Sequence, residues 1–81
     1  MELRDTVEMM NSEDFKDRFK AEYHQVQIRY KKLCKMLDDW DSGELRFAPK
    51  CPRSIYRLQT KAMLDYIASL EARAAIEGID L

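Results

Sequence analysis

From Phe15 onward the apolar residues fall into a helical rhythm: Phe15, Phe19, Tyr23, Val26, Tyr30, Leu33, Leu37 and Trp40 recur at spacings of three and four. That period lines up one face of an α-helix against a core, and no proline interrupts it. Asn11 or Ser12 is expected to cap this helix, with Glu13 and Asp14 placing negative charge in its first turn. Asp41-Ser42-Gly43 ends it. A helix over 12–40 would be roughly 42 Å long. A second run, Ile55, Leu58, Ala62, Met63, Tyr66, Ile67, Leu70 and Ala74, predicts a helix over 52–77. Pro52 is expected at its first position, where a missing N–H is harmless, and Gly78 at its end. The connection over 41–51 contains Leu45, Phe47 and Pro49 and is expected to lie ordered against the helices, with Trp40 closing the end of the seam. Residues 1–11 are weakly patterned; Val7, Met9 and Met10 allow a short apolar turn. The pattern therefore predicts an all-α chain: an N-terminal segment or short helix over 1–11, then a long antiparallel helical hairpin over 12–81.

Such a hairpin leaves apolar surface uncovered. The second helix carries an apolar arc of roughly 180°, wider than one seam needs. A chain this small also buries only about 60% of its unfolded surface by itself. A homo-oligomeric helical bundle is the expected remedy, with four helices from two chains as its simplest form.

Composition narrows the chemistry. The chain is 46% hydrophobic and 36% charged, a globular balance, and two Gly and two Pro supply little turn chemistry for a many-stranded β protein. Fourteen cations against fifteen acids give a net charge of −1, which argues against coating a polyanion, so extended nucleic acid is not an expected partner. No apolar run approaches the ~18 residues of a bilayer span, and Met-Glu-Leu-Arg-Asp does not read as a secretion signal. Cys34 and Cys51 have neither CxxC spacing nor a His pair, so free buried thiols are expected and a metal site is not. His24 would stand roughly 15 Å from Cys34 along one helix, too far for a nucleophile–base pair. No GxSxG, HExxH, GxxxxGK[ST] or GxGxxG string is present. No catalytic residue, metal or cofactor is therefore expected.

Two features invite a binding function. Gln59, Arg73 and Glu77 fall within the apolar arc of the second helix, and a buried polar group must find partners. Either Gln59 bonds Tyr23 or Tyr30 across the seam and Arg73 pairs with a carboxylate of a neighbouring chain, or these groups line a pocket at a subunit interface. Tyr23, Tyr30 and Tyr66 read as core residues with a polar tip. The second feature is the stretch Arg46 to Arg57, which has four cations and no acid in twelve residues and runs into a helix start. Arg46, Lys50, Arg53 and Arg57 could hold phosphates there, Phe47 and Tyr56 could stack a base, and Ser54 adds a hydroxyl. The bland alternative has Arg53 and Arg57 solvated or paired with Glu44, Asp39 or Asp41. The candidate ligand-binding residues are accordingly Arg46, Phe47, Lys50, Arg53, Tyr56, Arg57, Gln59 and Arg73.

The order Arg18…Glu22-Tyr23…Arg29…Lys32-Leu33, then Leu45-x-Phe47-x-Pro49-x-Cys51-Pro52, then Leu58-Gln59…Ala62-Met63…Tyr66…Leu70-Glu71-x-Arg73-Ala74…Ile76-Glu77-Gly78-Ile79 resembles a family of small helical phage proteins. That family is named for a relative in a crAss-like gut phage, and the resemblance covers residues 15–79. It implies a phage accessory protein acting in the cytoplasm of an infected bacterium, such as an anti-defence sponge for a nucleotide immune signal. The resemblance carries no residue-level roles. A cyclic oligonucleotide or ADP-ribose derivative, bound without catalysis, is the expected ligand class. The alternative is an inhibitor or adaptor that lays a helix face on a host protein.

Overall fold

The computed structural model describes residues 1–81, and every regular element in it is helical. A 3-10 turn over Leu3–Thr6 runs into a single α-helical turn, α1, over Val7–Met10. Two long helices follow, α2 over Phe15–Asp41 and α3 over Arg53–Glu77. Contacts pair Asp41 with Arg53, Trp40 with Tyr56, Tyr23 with Glu71 and Phe19 with Arg73, so α2 and α3 run antiparallel.

The helix ends show how local chemistry sets the boundaries. The α2 cap is Asp14, whose carboxylate accepts from the Lys16 N–H at 3.0 Å, and not Asn11 or Ser12. Ser12 is engaged otherwise: its hydroxyl donates to Asp17 at 2.8 Å and accepts from the Asp14 N–H. At the far end Gly43 takes φ +78, and the Glu44 and Gly43 N–H groups return to the carbonyls of Asp39 and Trp40. That double return is a Schellman motif. Pro52 is itself the cap of α3, extended at ψ 151, so the first helical residue is Arg53 rather than the proline. Gly78 ends α3 in the left-handed region at φ +71, and the Ile79 N–H returns to the Ala74 carbonyl at 2.9 Å.

The core sits toward the α3 C-terminus and consists of Phe19, Tyr23, Val26, Ile67, Leu70, Ala74 and Ile79, with Tyr30 and Met63 packed against it. Ile79 belongs to this core because the left-handed turn at Gly78 folds it back toward Ala74. At the opposite end Leu37 is buried, and Trp40 meets Tyr56 edge-on at 6.0 Å. Only part of the expected apolar face is covered. Phe15, Ile55, Leu58 and Tyr66 are exposed although each falls on the helical pattern. The N-terminal segment is tied down by Thr6, whose hydroxyl donates to the Leu3 carbonyl and accepts from Gln25 on α2 at 2.9 Å. Cys34 and Cys51 are free and half-buried.

Candidate functional site

The segment from Tyr23 to Leu37 has four cations, Arg29, Lys31, Lys32 and Lys35, and no acid in fifteen residues. Of these only Lys35 is committed, to Asp39 at 2.6 Å, which raises its pKa. Arg29, Lys31 and Lys32 enter no ion pair. Helical spacing then sorts them onto surfaces. Arg29, Lys32, Leu33 and Met36 follow i, i+3, i+4, i+7 and share a face. That face meets Gln59 and Met63, one turn apart on α3, across a cleft of about 420 Å³ that Leu3 also lines. A smaller cleft of about 240 Å³ opens on the neighbouring face, between His24, Gln27, Ile28, Lys31, Lys32 and Met1. Lys32 lines both.

The larger cleft sets cations beside apolar side chains. Leu33, Met36 and Met63 make an apolar floor, thioethers adapting to a flat or irregular surface. Two cations and one amide stand at its rim. Its volume lies within the ~300–1,000 Å³ typical of small-molecule sites. Because neither Arg29 nor Lys32 has a carboxylate partner, their charge is available to an incoming anion rather than spent on the fold.

The sequence-predicted residues divide three ways. Gln59 is exposed and lines this cleft; it bonds neither Tyr23 nor Tyr30. Tyr23 instead donates to Glu71 at 2.9 Å and accepts from Gln27. Arg53 and Tyr56 brace the end of the seam. Arg53 pairs with Asp41 at 3.1 Å and lies 6.0 Å from the centre of the Trp40 ring, whose edge-on partner is Tyr56. Arg46, Phe47, Lys50 and Arg57 are exposed on the connection and the first turns of α3 and enter no ion pair, and no cavity opens there. Arg73 stands at the other end of α3, roughly 21 Å from Gln59. It bonds Glu77 of its own helix at 3.1 Å and stacks over Phe19 at 4.8 Å, so within one chain it does not meet the cleft.

The α2 cations were the residues that sequence reasoning passed over. Their signal was present: an acid-free window of fifteen residues with four cations, second only to the one that runs from Leu45 to Leu64 with five. It was masked because Tyr30, Leu33 and Leu37 interleave them as core positions, which makes the cations look like an ordinary solvated helix face. No group of three His, Cys, Asp or Glu side chains is placed to hold a metal ion. No helix is long and apolar enough to cross a membrane.

No curated protein and no solved structure matches the chain. The sequence model of one family, Sequestin, matches residues 13–76, which takes in α2, the connection, α3 up to Ile76 and every cleft residue except those of the N-terminal segment. The match spans well over half of the chain, and the chain belongs to the Sequestin family.

Proposed function

We propose that the chain sequesters a nucleotide immune signal, a cyclic oligonucleotide or an ADP-ribose derivative, in the cytoplasm of a phage-infected bacterium, without catalysis. One observation carries this reading: the cleft in which unpaired Arg29 and Lys32 stand above the apolar floor of Leu33, Met36 and Met63, with the Gln59 amide beside them. Phosphate oxygens suit the cations, a base suits the floor, and an amide reads base edges with both a donor and an acceptor. The family name, Sequestin, speaks of sequestering and is in keeping with binding rather than turnover. Arg46, Lys50 and Arg57, with Phe47, would form an outer basic arm from the connection, braced by Arg53 and Tyr56. Arg73 would arrive from a second copy in a homo-oligomer.

A thermal-shift series against cyclic dinucleotides, cyclic trinucleotides and ADP-ribose derivatives tests the reading. A ligand at one hundred times its Kd stabilises by about 2.7 kcal/mol. No shift with any of the three classes would overturn it.

The exposed apolar side of α3 favours a second reading, an inhibitor or adaptor that docks this helix on a host protein. The two separate cleanly. A docking protein would lose its partner on a charge inserted at Leu58 and be indifferent to Arg29 and Lys32; a nucleotide sponge would lose its ligand on reversal of those two cations.

A further inference from the structure

The side of α3 turned away from the core carries an ordered pattern. Ile55, Ala62, Ser69 and Ile76 follow one another at seven-residue intervals and so lie on one line along the helix, drifting only about 20° per step. All four are exposed, Ile76 to 85%. Leu58, 65% exposed, and Tyr66 flank the line. The Ser69 hydroxyl is already satisfied by the Tyr66 carbonyl at 2.7 Å, so it needs no partner from outside. In order, the line reads large, small, small, large.

That order is a palindrome about the midpoint between Asp65 and Tyr66, and a palindrome is what a two-fold axis demands. In an isologous interface, residue i of one copy meets residue j of the other and j meets i. Two α3 helices laid antiparallel about that midpoint put Ile55 against Ile76 and Ala62 against Ser69. The small pair at the centre lets the backbones approach closely, and the isoleucines fill the wider gap toward the ends. Arg73 falls opposite Leu58, and Asp65 opposite Tyr66, so no like charges face each other. A host protein would have no reason to match this symmetry.

The surface area agrees. A compact monomer of 9.6 kDa exposes about 5,100 Å². This chain exposes 5938 Å², an excess of roughly 850 Å² over that scaling. One side of a standard interface covers about 800 Å².

We propose that the chain pairs with a second copy of itself along α3, antiparallel, with Ala62 of each copy packed on Ser69 of the other. The pairing also brings the second copy's Arg73 abreast of Leu58 and Gln59 at the mouth of the larger cleft, where its guanidinium would exchange Glu77 and Phe19 of its own chain for a ligand in its neighbour's cleft. This last point rests on the sequestration reading; the seam itself does not.

Cysteine pairing tests the register in the full-length chain without ligand. Under mild oxidation an equimolar mixture of Ala62→Cys and Ser69→Cys should give a covalent dimer on a non-reducing gel, above the level of the unsubstituted chain with its native Cys34 and Cys51. Either variant alone should not, because positions 62 and 69 are about 10 Å apart along a helix. Light scattering should report two chains or an even multiple, and Ala62→Arg should reduce it to one chain with the helical circular dichroism kept. Self-crosslinking of Ala62→Cys alone would show a parallel pairing and overturn the proposal, as would an unsubstituted chain of monomer mass. A dimer that binds no nucleotide would remove the sequestration reading and leave the seam; a monomer that binds one would do the reverse.

Discussion

Tyr23 on α2 and Glu71 on α3 are joined by a hydrogen bond of 2.9 Å, and its donor is the phenol of a core residue. The neighbouring pair has the opposite sense: Tyr66 on α3 donates to Glu22 on α2. The seam is thus stitched by two tyrosine–carboxylate links, one from each helix. Burial, followed by the bond to Glu71 and its charge, pushes the Tyr23 phenol above the usual value of about 10. A raised acid pKa in the folded state contributes stability that is complete below the unfolded value and is lost as pH rises through the folded one. Tyr23→Phe should cost about 1 kcal/mol at neutral pH and flatten the decline in stability above pH ~10. Denaturant midpoints of the two proteins from pH 8 to 11.5 check this; parallel curves would contradict it.

Gly78 holds φ +71, and its turn delivers Ile79 to the core. An added Cβ there meets no neighbouring atom, so the effect of Gly78→Ala is one of backbone conformation alone. The cost should be about 1–2 kcal/mol, seen as a Tm lower by several degrees. Gly43, at φ +78 with equally open space, should behave alike, whereas Ala75→Gly in the last turns of α3 should cost only about 0.5–1 kcal/mol.

Thr6 is fully buried and links the N-terminal segment to α2 through Gln25. Thr6→Val keeps the shape and removes the link. Hydrogen exchange over residues 3–10 should then accelerate relative to the helices, and ligand affinity should fall because Leu3 lines the larger cleft. Unchanged affinity with a loosened segment would show that Leu3 contributes no binding surface.

Arg29 and Lys32 have no partner in the fold, so reversing them should leave stability within about 0.5 kcal/mol. Arg29→Glu with Lys32→Glu should nevertheless abolish nucleotide binding, and in the unsubstituted chain affinity should weaken as salt rises. Arg53→Ala provides the contrast: it removes the pair with Asp41 and the contact with Trp40 and should show up mainly in stability.

Much of the helical layout was legible because it follows from short-range rules. The three-and-four spacing marked both long helices, and Gly43 and Gly78 marked their ends by conformations that other residues resist. The starts were less legible, since several polar residues at 11–14 could cap and the choice of Asp14 depends on Ser12 being occupied by Asp17. The cleft was the hardest part. Arg29, Lys32 and Gln59 come from two helices and acquire meaning only from the register that brings them together. The same register explains why Gln59 does not reach Tyr23: Glu71 already takes that phenol.

Recovery of the bound molecule tests the central claim most directly. The chain is saturated with the nucleotide giving the largest thermal shift, freed of excess, incubated, and then denatured, and the released material is identified by mass spectrometry. Sequestration predicts that the nucleotide returns stoichiometrically and chemically unchanged at every incubation time. A cleaved or otherwise converted product accumulating with time, or no retained nucleotide at all, would contradict it.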